Sequence, residues 1–93
     1  MAVSIDNLEI DAHYIEIIMG YIGGLLLEGK ALEDEGKQIY DKLKDYKKGD
    51  IVQLKDFLKG KYSGVWVIDY ITLSIENQKA PAIYSFRIGF RKK

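Results

Sequence analysis

His13 stands between Asp11 and Glu16, and these three side chains are the nearest approach in the sequence to a metal-binding set. Zinc needs three or four ligands drawn from Cys, His and carboxylates. The chain has no cysteine and one histidine, so the set is thin, and a surface or partner-bonded histidine is the plainer reading. A Ser-His-acid arrangement would have to bring Ser4, Ser63, Ser74 or Ser85 to the same His13. None of these serines sits in the Gly-x-Ser-x-Gly turn that exposes a nucleophile. The glycines at 20, 23 and 24 do not precede a Lys-Ser/Thr pair and so do not form a phosphate loop. No Asp/Glu spacing matches a calcium loop. Glu33 and Glu35 fall at an expected helix start, where the helix dipole accounts for them. The expectation is a non-enzymatic chain with no catalytic residue, no metal and no cofactor.

Binding chemistry is better represented. Lys44, Lys47, Lys48, Lys55, Lys59 and Lys61 are interleaved with Phe57, Tyr62 and Trp66. Basic grooves with aromatic platforms hold single-stranded nucleic acid by phosphate contact and base stacking. Asp41, Asp45, Asp50 and Asp56 lie among these lysines and halve the field, and the whole chain has a net charge of zero. Nucleic-acid binding therefore stands as the alternative reading. The leading one comes from the aromatics. Seven tyrosines, three phenylalanines and one tryptophan in 93 residues are more than one small core absorbs. Alternation through 64–75 puts Val65, Val67, Ile71, Leu73 and Ile75 on one face, and Trp66, Ile68 and Tyr70 on the other. A strand apolar on both faces must be covered twice. Trp66, Ile68 and Tyr70, with Arg87 and Arg91 on the neighbouring strand, form the candidate interface. Asp69 interrupts the pattern. A bulge near Tyr70, a pair with Arg87, or an inward charge that guards an edge would each explain it.

The elements that must position these residues read as β-β-β-α-β-β-β in one domain, 1–93. Val3, Ile5, Leu8 and Ile10 alternate around Asp6-Asn7, as a short strand or hairpin start. Residues 14–27 read as two strands turning at Gly23-Gly24; a helix is the competing reading, and its three glycines would cost it about 1 kcal/mol each. Ala31 to Lys48 carries Leu32, Ile39, Tyr40, Leu43 and Tyr46 at helical spacing, with Gly49 placed as its C-terminal cap. Strands follow over 50–55 and 64–75, separated by a turn at 57–60. After a loop at 77–81 comes the last strand, with Ala82, Tyr84, Phe86, Ile88 and Phe90 on its core side. The fold class is α+β: a small antiparallel β-barrel or β-sandwich with one α-helix between strands 3 and 4.

Charge is distributed unevenly. Residues 1–29 carry five acids and no Lys or Arg; residues 30–62 carry nine lysines against seven acids, and residues 63–93 five basic against two acidic side chains. The two regions either pair within one fold or lie on opposite faces and favour stacking of copies. The N-terminus lacks a basic n-region, and the longest uncharged apolar stretch, 17–27, is half of what a spanning helix needs, about 20 residues. A soluble protein made inside a cell, with no membrane partner, is expected.

Gly64-Val65-Trp66-Val67-Ile68, the polar loop, and Tyr84-Ser85-Phe86-Arg87-Ile88-Gly89-Phe90-Arg91 resemble the ending of small structural tail and baseplate proteins of phage-like particles. Those chains often close with a Gly-x-Trp-x-Val strand and an alternating Phe-x-Ile-x-Phe strand, and Lys48-Gly49-Asp50-Ile51-Val52-Gln53-Leu54 fits the same layout. The resemblance covers residues 48–93. It implies a virion or injection-particle structural protein that assembles with copies of itself and other particle proteins. It carries over no catalytic residue. The Gly-Asp-Ile-Val-x-Leu…Gly-x-Trp-x-Val pattern also looks like SH3-like and oligonucleotide-binding barrels, which implies a module for single-stranded nucleic acid or a protein partner.

Overall fold

Asp6 adopts a left-handed φ of 54° and turns the chain sharply, so the apolar alternation around it becomes two strands. These are β1 (Ala2–Ile5) and β2 (Leu8–Asp11), which pair antiparallel with Ile5 opposite Leu8. The computed structural model describes residues 2–21, 24–55, 60, 62–77 and 79–93. Residues 14–27 form the antiparallel hairpin β3 (Tyr14–Tyr21) and β4 (Gly24–Leu32), so the competing helix is excluded. The helix α1 (Glu33–Leu43) then follows β4. The expected position between strands 3 and 4 is thus corrected: the segment around Asp6-Asn7 supplies two strands where one was counted. The expected turn at 57–60 lies outside the described residues except for Gly60.

The helix is also shorter than its periodicity suggests. Ala31 and Leu32 belong to β4, where they pair with Tyr84 and Ile83 of the last strand. The first free N–H, that of Glu33, donates to the Ala82 carbonyl at 2.9 Å, replacing a side-chain cap. At the other end Leu43 is wholly buried, and the chain leaves the helix to carry Tyr46 toward the β1–β2 turn. Gly49 is therefore not the helix cap. It sits just before β5, and its N–H already donates to Ile68.

β5 (Ile51–Lys55), β6 (Gly64–Asn77) and β7 (Ile83–Lys92) complete a seven-stranded sheet of order β2-β1-β5-β6-β7-β4-β3. Every neighbouring pair is antiparallel. Laid flat, its edges would be about 29 Å apart at the usual ~4.8 Å strand spacing. Yet Ala12 and His13 alone link the edge strands, a reach of about 10 Å from Asp11 to Tyr14. The sheet must therefore curl. It cannot close by pairing β2 with β3. Counted through the antiparallel steps, those two strands run in the same direction, and a two-residue link cannot set parallel strands side by side. β3 follows on from the end of β2, and the product is a half-barrel.

The concave side holds the core: Ile5, Ile10, Leu25, Leu27, Leu54, Ile68, Ile88 and Phe90 are almost completely buried there. α1 lies against β4 and β7 and adds Ile39 and Leu43. Its close approach depends on Gly36, where a Cβ would come within 2.5 Å of the Ala31 carbonyl oxygen and 2.6 Å of the Tyr84 ring. Tyr84 in turn packs against Tyr40 of the helix, with ring centroids 5.6 Å apart.

Candidate functional site

A bulge decides which side chains β6 presents. Ile68 is opposite Phe90 and Tyr70 is opposite Gly89, so Asp69 is the extra residue and the faces exchange there. Before the bulge Trp66 and Ile68 point into the core, with 6% and 1% of their surface exposed. After it Ile71 and Leu73 take over the core side, and Tyr70 turns outward, 37% exposed. The expected interface is thus divided: Trp66 and Ile68 contribute to the core, and Tyr70, Arg87 and Arg91 remain exposed. Of the three explanations for Asp69, the bulge is the one the geometry supports. Its ion-pair partner is Arg91, at 3.7 Å, rather than Arg87, which reaches Glu28 at 2.8 Å. On the outer face Tyr70, Gly89, Leu26 and Ile18 stand in one cross-strand row.

The described residues of the nucleic-acid alternative do not come together as an aromatic groove. Trp66 and Tyr62 are both buried, and the Trp66 Nε1 donates to the Tyr62 carbonyl at 3.0 Å. The Lys92 ammonium lies 4.6 Å from the centroid of the Trp66 ring. Lys44 and Lys47 are engaged by Asp41 and Asp50 in exposed ion pairs. Lys48 precedes β5 and Lys55 ends it, both exposed. Phe57, Lys59 and Lys61 lie outside the described residues.

A pocket of about 390 Å³ opens between the β1–β2 turn and the α1–β5 connection, lined by Asn7, Leu8, Lys42, Asp45, Tyr46 and Asp50. Two of its polar groups, those of Tyr46 and Asp50, serve the fold. Asp6 donates its N–H to the Gln53 carbonyl at 2.8 Å. The Asp6 carboxylate accepts from the Gln53 N–H and the Tyr46 hydroxyl, each at 2.9 Å. Burial, and then the Asp6 carboxylate, push the Tyr46 hydroxyl up to about 12. A phenol held as a donor with that pKa is no general base near neutrality. The Asp50 carboxyl is held below its ordinary value, first by the Lys47 backbone N–H and then by the Lys47 side chain. His13 lies in a shallow depression beside Glu33, Asp34 and Glu35; Asp11 lines a neighbouring depression, and Glu35 borders both. Among the described residues no three His, Cys, Asp or Glu side chains come together as metal ligands.

The feature that sequence reasoning missed is the state of the two sheet edges. β2 is four residues long and exposes Glu9 and Asp11, which guard it against pairing. β3 is eight residues long, Tyr-Ile-Glu-Ile-Ile-Met-Gly-Tyr, with neither lysine nor proline. Tyr14 and Ile18 on its outer face are 46% and 38% exposed. Ile15 and Ile17 on the inner face are half-buried at the margin of the core. The sequence signal is a mostly apolar strand with one charge, Glu16, but only topology shows that it lies at an edge. No family model, no curated protein and no solved structure matches the chain. Among the described residues no helix is long and apolar enough to cross a membrane.

Proposed function

We propose that this chain is a non-enzymatic structural subunit that works by associating with copies of itself. One observation carries the reading: among the described residues β3 pairs with β4 alone, and the eight-residue edge it leaves open carries no lysine or proline and Glu16 as its one charge. The outward-facing N–H and C=O groups along the regular part of that edge, residues 14–19, are a template for strand addition, and the half-buried Ile15 and Ile17 beside them are a reason for water to be excluded there. Placement of such a subunit in a virion tail or other phage-like particle rests on the sequence resemblance of residues 48–93 alone. Sedimentation over a wide concentration range tests the function. Copies are expected to associate reversibly, and salt is expected to matter little because β3 carries Glu16 as its one charge. A strict monomer at high concentration would overturn the reading.

A further inference from the structure

Strand addition at an edge leaves open which strand arrives and in what register. Resting on the self-association reading, we infer that β3 pairs antiparallel with β3 of a second copy about a two-fold axis at Ile17. Symmetric antiparallel pairing places some residue opposite its own copy, so the choices are few. Centring on Glu16 would set two carboxylates directly opposite, which is destabilising. Centring on Ile18 would carry the ladder across Gly20, where φ is +78° and a bulge interrupts the register between Met19 and Tyr21. That choice leaves regular pairing over 17–19 alone. Centring on Ile17 pairs residues 15 through 19 regularly, places Glu16 opposite the exposed Ile18 of the second copy, and keeps the two carboxylates apart.

The strand is also complementary to itself in shape about that point. Tyr14 and Gly20 lie three residues to either side of Ile17, so the two-fold brings each Tyr14 to the end of the regular ladder, beside Gly20 of the second copy. Tyr14 is the bulkiest exposed side chain of the regular edge, and a Cβ at Gly20 would meet nothing within 4 Å. An aromatic ring covering an edge glycine is a recurrent device in sheets. On the inner face Ile15 and Ile17, already packed at the core margin, continue the apolar surface across the new seam. A foreign strand would have to reproduce this spacing of bulk, vacancy and charge; a second copy carries it already. With β2 guarded by Glu9 and Asp11, one open edge per chain gives a closed pair rather than an open fibre.

Three variants read the register. In Ile18→Lys the new ammonium falls opposite Glu16 of the second copy at two symmetric places, and the dimer is expected to tighten about two- to thirty-fold at low salt. In Glu16→Lys combined with Ile18→Lys, like charges oppose at both places, and the dimer is expected to dissociate while circular dichroism stays that of the parent. In Ile17→Cys, mild oxidation is expected to link two chains through a disulfide, since directly opposed residues lie within bridging distance. Tyr14→Cys should not link, because its copies would stand about 20 Å apart along the strands. The chain has no other cysteine to confuse the result. A dimer whose dissociation constant ignores both lysine variants, or that cross-links at 14 rather than 17, overturns the register and leaves self-association standing. A parent chain that stays monomeric overturns both.

Discussion

Gly36→Ala sets two effects against one another at a single atom. Alanine is the better helix former by about 1 kcal/mol, so propensity alone favours the substitution at the fourth residue of α1. The added methyl, however, would lie 2.5 Å from the Ala31 carbonyl oxygen and 2.6 Å from the Tyr84 ring. The first obstacle is backbone and is held in the β4–β7 ladder, where Ala31 pairs with Tyr84. The second is a ring wedged between the sheet and Tyr40. Neither gives way without moving the helix off the half-barrel. Overpacking costs about 1–3 kcal/mol, and a 2.5 Å approach to fixed backbone falls in the upper part of that range, about 2–3 kcal/mol, so after the gain in propensity the net loss is expected to be about 1–2 kcal/mol. Urea unfolding followed by far-ultraviolet circular dichroism reads it directly: the midpoint should fall by about 1 M for a chain this size. Gln38→Ala, on the exposed side of the same helix, should stay within about 0.5 kcal/mol of the parent. A Gly36→Ala protein as stable as the parent, or more so, would refute the close approach on which the packing of α1 depends.

Other perturbations probe the remaining joints. Ile68→Ala, before the bulge, is expected to cost about 2–5 kcal/mol, and Tyr70→Ala, two residues on but turned outward, about 1 kcal/mol or less; equal losses in a denaturant titration would mean that the bulge at Asp69 does not exchange the faces. In Gly29→Ala the new methyl would run into the Phe86 ring, and a loss of about 1–3 kcal/mol is expected, partly recovered by adding Phe86→Leu. Tyr46 contributes to the alkaline limit. Its pKa is about 12 in the fold against an ordinary 10, so the hydroxyl stabilises fully below pH 10, and that contribution is lost as pH rises through 12. Urea midpoints measured between pH 9 and 12 should fall for the parent, and Tyr46→Phe should remove this part of the slope; an unchanged slope would contradict the Asp6–Tyr46 contact.

The absence of cysteine already set aside disulfide frameworks, and the zero net charge set aside an overall basic excess. The alternation in β7 identified Phe86, Ile88 and Phe90 as core, because a period of two is a local property of any strand with one buried face. The β3–β4 hairpin was legible from the two apolar runs on either side of the glycines, but Gly24 opens β4 opposite Tyr21 rather than turning the chain, and Gly23 lies outside the described residues. Local patterns could not place Trp66. One inserted residue, Asp69, reverses the faces of β6, and alternation read on either side of it gives contradictory orientations that only the pairing with β7 resolves. The helix boundaries failed likewise: Ala31 and Leu32 fit a helix by spacing but are claimed by hydrogen bonds to β7, fifty residues away in sequence. The open edge was the least legible feature of all. The composition of β3 is plain in the chain, but its exposure follows from strand order. β2 and β3 run in the same direction with two residues between them, so they cannot pair, and the half-barrel is left with an apolar strand at its rim.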